Sequence, residues 1–273
     1  MGRNPLSVRA LLVPILGCLL LAAPRAVPGQ VFQSTHSANL ATATTIPSGN
    51  LLFEISHRFT PAISEGSEAL WGLDGPVTNR LGLAYAVSDR SLVGVSRSNL
   101  DDNLEIGAQL RLFEGGSPGR PLAVGAKGAV AWNLSPSLVQ GAEDNEAQVY
   151  LQLMLEAGLG SNFALGLVPT YLRNPRIRDF DADDAFVLGI HGTMAVTPSV
   201  NILGEWVFSE DRPEQEYDSG TFGVELRTRG HFFKIFVTNQ VRMNPSQVLG
   251  GSRTEFTPDE LSFGFNITRR LAF

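Results

Sequence analysis

The chain has 273 residues, 43% of them hydrophobic and only 18% charged, with a formal net charge of −6 and a mean hydropathy of +0.04. Its charge content lies below the roughly one quarter usual for soluble domains, and its apolar content excludes a disordered chain. One cysteine, Cys18, excludes an internal disulfide framework and a cysteine-based zinc site, and the lack of a basic cluster speaks against nucleic acid as a partner.

Residues 1–29 have the form of a secretory signal peptide. Arg3 and Arg9 give a positive start, Leu11 to Ala23 is apolar but for Pro14 and Gly17, and Val27-Pro28-Gly29 supplies a cleavage region. Cleavage is expected before Gln30. The apolar run is shorter than the roughly 20 residues of a membrane helix, and it continues past Cys18, which argues against a lipoprotein. Loss of Arg3, Arg9 and Arg25 takes the net charge from −6 to −9 and leaves Lys127 and Lys234 as the lysines. Residues 30–49 read as a leader on the periplasmic side, ahead of one barrel domain over 50–273.

From residue 50 onward the pattern has a period of two. In Asn145–Leu159, Val149, Leu151, Leu153, Leu155 and Leu159 share one face, with Gln148, Tyr150, Gln152 and Glu156 on the other. A strand separates these sets and a helix would mix them. In chain order the runs are Leu51–Phe59, Arg80–Val87, Ser91–Asn99, Leu104–Leu112, Pro121–Trp132, Asn145–Leu159, Phe163–Tyr171, Phe186–Val196, Val200–Phe208, Phe222–Arg227, Phe232–Val241 and Leu261–Phe273. Several exceed the usual five or six residues and match the roughly 9–11 of a tilted membrane-crossing strand. No other apolar run would span a bilayer, so a closed barrel is the form open to this chain.

The connections alternate between long and short, as tight periplasmic turns alternate with longer outer loops. Aromatic rings fall at both strand ends: Phe59, Trp132, Tyr171, Phe186, Phe208 and Phe222 on the loop side, Phe113, Phe163 and Phe273 on the turn side. The chain stops on Phe273, with Phe265, Ile267 and Leu271 on the same face, like the C-terminal signal that barrel-assembly machinery reads. The predicted fold is an all-β, antiparallel up-and-down transmembrane barrel of about 12 strands, within a range of 10 to 14.

Three pieces carry a resemblance. They are Phe53-Glu54-Ile55-Ser56-His57-Arg58-Phe59, then Leu70-Trp71-Gly72-Leu73-Asp74-Gly75, then Arg80-Leu81-Gly82-Leu83-Ala84-Tyr85 with Ser88-Asp89-Arg90 and Arg97-Ser98. Over about residues 50–112 the chain resembles an uncharacterised bacterial family of outer-membrane β-barrels, a domain of unknown function. The resemblance implies a barrel and supplies no substrate, cofactor or catalytic residue. The family's lysine after the Arg-Ser step is absent, since Gly107-Ala108-Gln109 stands there.

With the apolar face toward lipid, Glu54, Arg58, Arg80, Arg111, Lys127, Glu156, His191, Glu205, Glu225, Arg227 and Lys234 point into the lumen. There they either pair to seal it or line a wet passage. The segment Pro61–Pro76, with Trp71 and Asp74, is the candidate for a loop folded into the bore. Asp179, Asp181, Asp183 and Asp184 begin like a calcium loop, but the glycine and glutamate of such loops are replaced by Asp184 and Ile190, so an acidic outer loop is the plainer reading. His57, His191 and His231 could serve a hydrolase, yet no Gly-x-Ser-x-Gly elbow accompanies them. No enzyme activity, cofactor or metal is expected.

Three functions fit these residues: a narrow outer-membrane channel or small-solute transporter, a non-conducting barrel that binds or anchors a periplasmic partner, and a secreted soluble barrel around an apolar ligand. The first two place outer-membrane lipid and the barrel-assembly machinery among the partners. The third needs the apolar face inward.

Overall fold

A computed structural model describes residues 31–117, 119–135, 147–175, 184–209 and 216–272. Twelve antiparallel strands close into one barrel: β1 Leu51–Phe59, β2 Val77–Ser88, β3 Ser91–Ser98, β4 Asn103–Ser117, β5 Arg120–Asn133, β6 Gln148–Leu159, β7 Phe163–Arg173, β8 Asp184–Thr197, β9 Val200–Ser209, β10 Ser219–Arg227, β11 His231–Thr238 and β12 Ser262–Leu271. Each strand pairs with its sequence neighbours, and β12 closes on β1 from Leu51↔Leu271 to Arg58↔Gly264. Closure leaves no open sheet edge, so the ladders satisfy the strand backbone without water.

The alternation decides which face is which. Leu81, Leu83, Ile106, Leu110, Leu151, Leu153, Leu165, Leu188 and Ile235 are exposed, while Glu54, Gln109, Gln152, Glu156, Thr170, Glu205, Lys234 and Asn266 on the opposite faces are buried. This is inside-out relative to a soluble barrel, which removes the soluble apolar-ligand reading. Short turns and both barrel ends share one rim, and the longer connections share the other.

Strand limits differ from the periodicity in places. β4 runs on to Ser117, beyond Leu112, and bulges between Arg111 and Phe113. β11 stops at Thr238 rather than Val241 because the chain turns inward there. The Asn239 side chain accepts from Gly220 N at 2.8 Å and donates to Asp218 O at 2.8 Å and Thr254 O at 2.7 Å, which holds that turn. The signal-peptide residues 1–29 with Cys18, three of the calcium-loop aspartates (Asp179, Asp181 and Asp183) and Phe273 lie outside the described residues.

Two of the described segments occupy the lumen. Residues 31–46 do not lie outside as a leader. They enter from the short-turn mouth, reverse at Ser37–Leu40 (Ser37 N to Leu40 O, 2.7 Å; Thr42 N to Thr35 O, 3.1 Å) and return to that mouth. At the mouth, Ser48 N donates to Asp89 Oδ1 at 2.8 Å. From the opposite mouth, residues 239–252 dip inward around a short helix, α1 Pro245–Val248, whose residues are all buried. Leu40, Ala41 and Ala43 of the hairpin meet Val248 and Leu249 of the loop, and Tyr150, Met154, Val187 and Val207 of the wall, in the barrel's apolar core.

Pro61–Pro76 does not enter the bore. Its helical turn Ile63–Gly72 lies at the long-loop rim with Leu70, Trp71 and Leu73 about half exposed. Gly72 has φ +86°, and a Cβ there would sit 2.7 Å from Pro61 O, so this turn is folded against its own base. Trp71 and Asp74 are therefore parts of an outer-loop turn.

Candidate functional site

The inward charges are the anchors of the N-terminal hairpin. Glu205 on β9 accepts from Asn39 N at 2.9 Å, from Asn39 Nδ2, and from Leu40 N at 3.2 Å. Arg58 on β1 donates to Asn39 Oδ1 and to Asn266 Oδ1, both at 2.9 Å, and its guanidinium lies 4.4 Å from the ring centre of Phe236. Asn266 Nδ2 in turn donates to Ala38 O at 2.7 Å. Glu156 on β6 accepts from Ala43 N at 2.6 Å. Lys234 on β11 donates to Ser34 Oγ at 2.8 Å and His36 O at 2.7 Å, with Glu225 3.6 Å away. His191 packs its ring 4.5 Å from that of Phe32. Wall side chains and hairpin thus meet many of one another's donors and acceptors away from water, where an unmet charge costs most.

Small wall residues make room for the hairpin. A Cβ on Gly189 would lie 2.7 Å from Leu40 Cδ2, and one on Gly125 would lie 3.0 Å from Ala43 Cα. At Gly166 a Cβ would strike His191 Nε2 at 2.2 Å, so this glycine is what lets the imidazole lie across the wall.

His36 sits at the centre. Its Nε2 is 2.9 Å from Glu54 Oε2, and Thr35 Oγ1 lies 3.3 Å from Nδ1. Burial, reinforced by Lys234 and Arg80 and opposed by Glu54, lowers its pKa to about 4, so the docked imidazole is neutral beside the Glu54 carboxylate. Arg80 pairs with Glu54 and donates to Met243 O at 2.9 Å, tying the outer loop to the same carboxylate.

The outer loop is held mainly by neutral groups. Asn244 Nδ2 donates to Asn103 Oδ1 at 2.6 Å, Ser96 Oγ donates to Asn244 Oδ1 at 2.8 Å, and Gln247 Nε2 donates to Leu100 O at 3.0 Å. Ser246 N reaches Glu105 Oε2 at 3.2 Å, and Arg242 pairs with Glu216 at 2.9 Å. These anchors lie mostly on β2–β4, whereas the hairpin's lie chiefly on β1, β6, β9, β11 and β12.

The structure brings together Glu54, Arg58, Arg80, Glu205, Glu225 and Lys234, with Lys127 beside Glu105 at 3.9 Å. It leaves Arg111 at the short-turn mouth, paired with Glu114 at 3.1 Å, and Arg227 at the same rim, donating to Pro198 O at 2.6 Å. Asp184 opens β8 and faces Arg173 at 3.4 Å. Among the described residues no group of three His, Cys, Asp or Glu is placed to hold a metal. His57 lies between Phe59 and Phe265, with ring centres at 4.7 and 5.0 Å, and His231 stacks on Phe233 at 5.5 Å. Phe265, Ile267 and Leu271 share the outward face of β12.

Residues missed from the sequence are His36, the carboxylate Glu105 and the neutral Asn39, Gln109, Tyr150, Asn103, Asn244 and Asn266. A signal did exist. Residues 30–49 contain no Asp, Glu, Lys or Arg and are rich in Ala, Ser and Thr, a composition suited to packing inside a wall. Beside the hairpin, a vestibule of about 570 Å³ opens at the short-turn mouth, lined in part by Val31, Phe32, Gly116 and Ser161.

The family model described as a membrane bound beta barrel domain (DUF5777) matches residues 32–271, hairpin included. Compared with curated proteins by sequence, the chain has no match. Among solved structures it is similar to an outer membrane channel from Pseudomonas putida F1, with a TM-score of 0.55 at 12% identity, covering 84% of this chain and 98% of that one. It is also similar to the NanC porin (TM-score 0.48, 9% identity, 82% and 99%) and to outer membrane phospholipase A from Escherichia coli (TM-score 0.43, 12% identity, 83% and 90%). At these identities the likeness is one of fold.

Proposed function

Because this chain belongs to the family of membrane-bound β-barrel domains, we propose that it is a gated small-solute channel of the bacterial outer membrane, closed at rest by its own N-terminal hairpin. The observation that carries this reading is the direction of entry. Residues 31–46 go in and come out at the short-turn mouth, so they can leave without threading through the barrel. Their departure would free the part of the lumen that the hairpin occupies beside Glu156, Glu205 and Lys234. It would also expose Arg58, Glu156, Glu205 and Lys234 to the passage, and a bore lined by such charges selects by charge. The short-turn rim is the periplasmic one in barrels of this architecture, so the gate would answer to the periplasm. Export through cleavage of residues 1–29, and assembly guided by Phe265, Ile267, Leu271 and Phe273, complete the route.

The test is conductance in planar bilayers of the full chain and of a form lacking residues 31–46. The full chain is expected to open rarely and the shortened one to conduct steadily, with a selectivity that shifts when Glu205 becomes Gln. Silence from both forms would overturn the channel. One observation favours the alternative, a non-conducting barrel that binds a periplasmic partner: the outer loop packs against the hairpin and fills the bore as well. That reading requires the shortened form to stay silent.

A further inference from the structure

A cavity of about 120 Å³ lies between the hairpin, α1 and the wall of β1–β5. A water's share of liquid volume is about 30 Å³, so the space suits a few waters or one small organic molecule. It exists because the wall is bare at this level. Gly94 and Gly107 face each other across β3 and β4, and Gly82 lines the same space from β2.

Its polar lining comprises His36, Glu54, Arg80, Glu105, Gln109 and Lys127, and most of these are engaged. Glu54 accepts from Arg80, from Ser56 Oγ at 2.6 Å and from Thr268 Oγ1 at 3.3 Å, and His36 Nε2 lies 2.9 Å away. Glu105 accepts from Tyr150 OH at 2.7 Å and from Ser246 N. Gln109 Nε2 donates to Thr42 O at 2.9 Å and Thr44 O at 2.8 Å. Lys127 differs from all of them. Among the described residues its ammonium has no hydrogen bond: its nearest carboxylate oxygen, on Glu105, is 3.9 Å away, and the Tyr150 ring centre is 5.7 Å away. Lys234, the other lysine of the chain, lies in the same lumen with two hydrogen bonds and a carboxylate. An ammonium has three donors, and those of Lys127, whose side chain is 22% exposed, are open to the cavity.

We propose that this cavity binds a small monocarboxylate, of the size of acetate or lactate, with its carboxylate on Lys127. The cavity's volume sets the size limit. Its charge sets the valence: Glu54 and Glu105, the latter 3.9 Å from the Lys127 ammonium, line the same space, so one negative charge is set against Lys127 and a second would only add to theirs. The site lies where both inserted segments meet the wall, so its occupant would be a solute passing the closed gate or holding it. That the occupant is a solute in passage rests on the channel reading; the binding does not.

The test is equilibrium binding of ¹³C-labelled acetate and lactate to the full chain in detergent, followed by NMR at constant ionic strength in chloride. Saturable binding is expected, about tenfold or more weaker in Lys127→Met, the weight of one charge-assisted hydrogen bond, and largely retained in Lys127→Arg. Gly82→Ala is a second variant that keeps the fold, because its Cβ would meet only Glu54 Cβ and Ser96 Cβ at an ordinary 3.7 Å. It narrows the cavity and should weaken lactate more than acetate. Inorganic phosphate is expected not to compete. No saturable binding, equal binding by the wild type and Lys127→Met, or competition by phosphate as strong as by acetate would each overturn the site. Lys127-dependent binding with silent bilayers would refute the channel alone, and conduction without binding would refute the site alone.

Discussion

The hairpin 31–46 and the loop 239–252 fill one lumen by different means. The hairpin brings almost no charge of its own and is gripped by charged side chains of the wall: Glu205, Arg58, Glu156 and Lys234 all reach its polar groups. The loop is tethered at both ends by strands and is held by amide and hydroxyl contacts through Asn103, Ser96, Asn244 and Gln247. A segment docked on charges can be released by changing those charges. A segment tethered by strands at both ends and docked mainly on neutral groups lacks that handle.

Breaking the comparison at its strongest point means removing a wall anchor. Glu205→Ala leaves Asn39 and Leu40 without the carboxylate that takes three of their donors. Hydrogen bonds to charged groups contribute about 1.5–3 kcal/mol each, and not additively, so docking should weaken by about 2–4 kcal/mol. Limited proteolysis of the hairpin in folded, detergent-solubilised protein reads this directly: cleavage within residues 31–46 should rise by tens-fold or more, with the barrel intact.

Acid should act in the same direction, less strongly. Docked His36 has its pKa lowered to about 4 from 6.5, so below pH 6.5 the free hairpin takes up a proton that the docked one refuses. Docking is at full strength above pH 6.5 and weakens as the pH falls toward 4, by about 2 kcal/mol at pH 5. Proteolysis of the hairpin should therefore increase between pH 7.5 and pH 5, and His36→Asn should flatten that dependence.

The smallest effect belongs to the loop. Asn244→Ala removes neutral hydrogen bonds worth about 1 kcal/mol each, and should lower the thermal midpoint slightly while leaving hairpin proteolysis unchanged. A large rise in hairpin cleavage in this variant would erase the distinction between the two segments.

The barrel was legible because its constraint is periodic. In β6, Val149, Leu151, Leu153 and Leu155 must all face lipid while Gln148, Gln152 and Glu156 all face inward, and twelve repeats of that rule leave little freedom. The inward charges could be read for the same reason, as the polar side of each strand. What they do could not be read. Glu205 and Lys234 contact residues 166 and 200 positions away in sequence, and no local pattern records such a pairing. The choice of Trp71 for the inserted loop followed aromatic and turn content, whereas the inserted segments are marked by the opposite: few charges and many small or amide side chains, as in Ala38-Asn39-Leu40-Ala41 and Met243-Asn244-Pro245-Ser246-Gln247.

The claim that hairpin withdrawal opens the bore is tested most directly by locking it in place. A Cβ built on Gly125 lies 3.0 Å from Ala43 Cβ, somewhat inside the 3.5–4.5 Å spacing of a disulfide, so Ala43→Cys with Gly125→Cys can tether the hairpin to β5 once the end of Met154 moves aside and the hairpin gives at residue 43 by about half an ångström. In planar bilayers the oxidised protein should be silent, and addition of a reductant should restore openings at the frequency of the unmodified chain. Equal conductance before and after reduction would contradict the account, because the current would then pass with the hairpin still in the lumen.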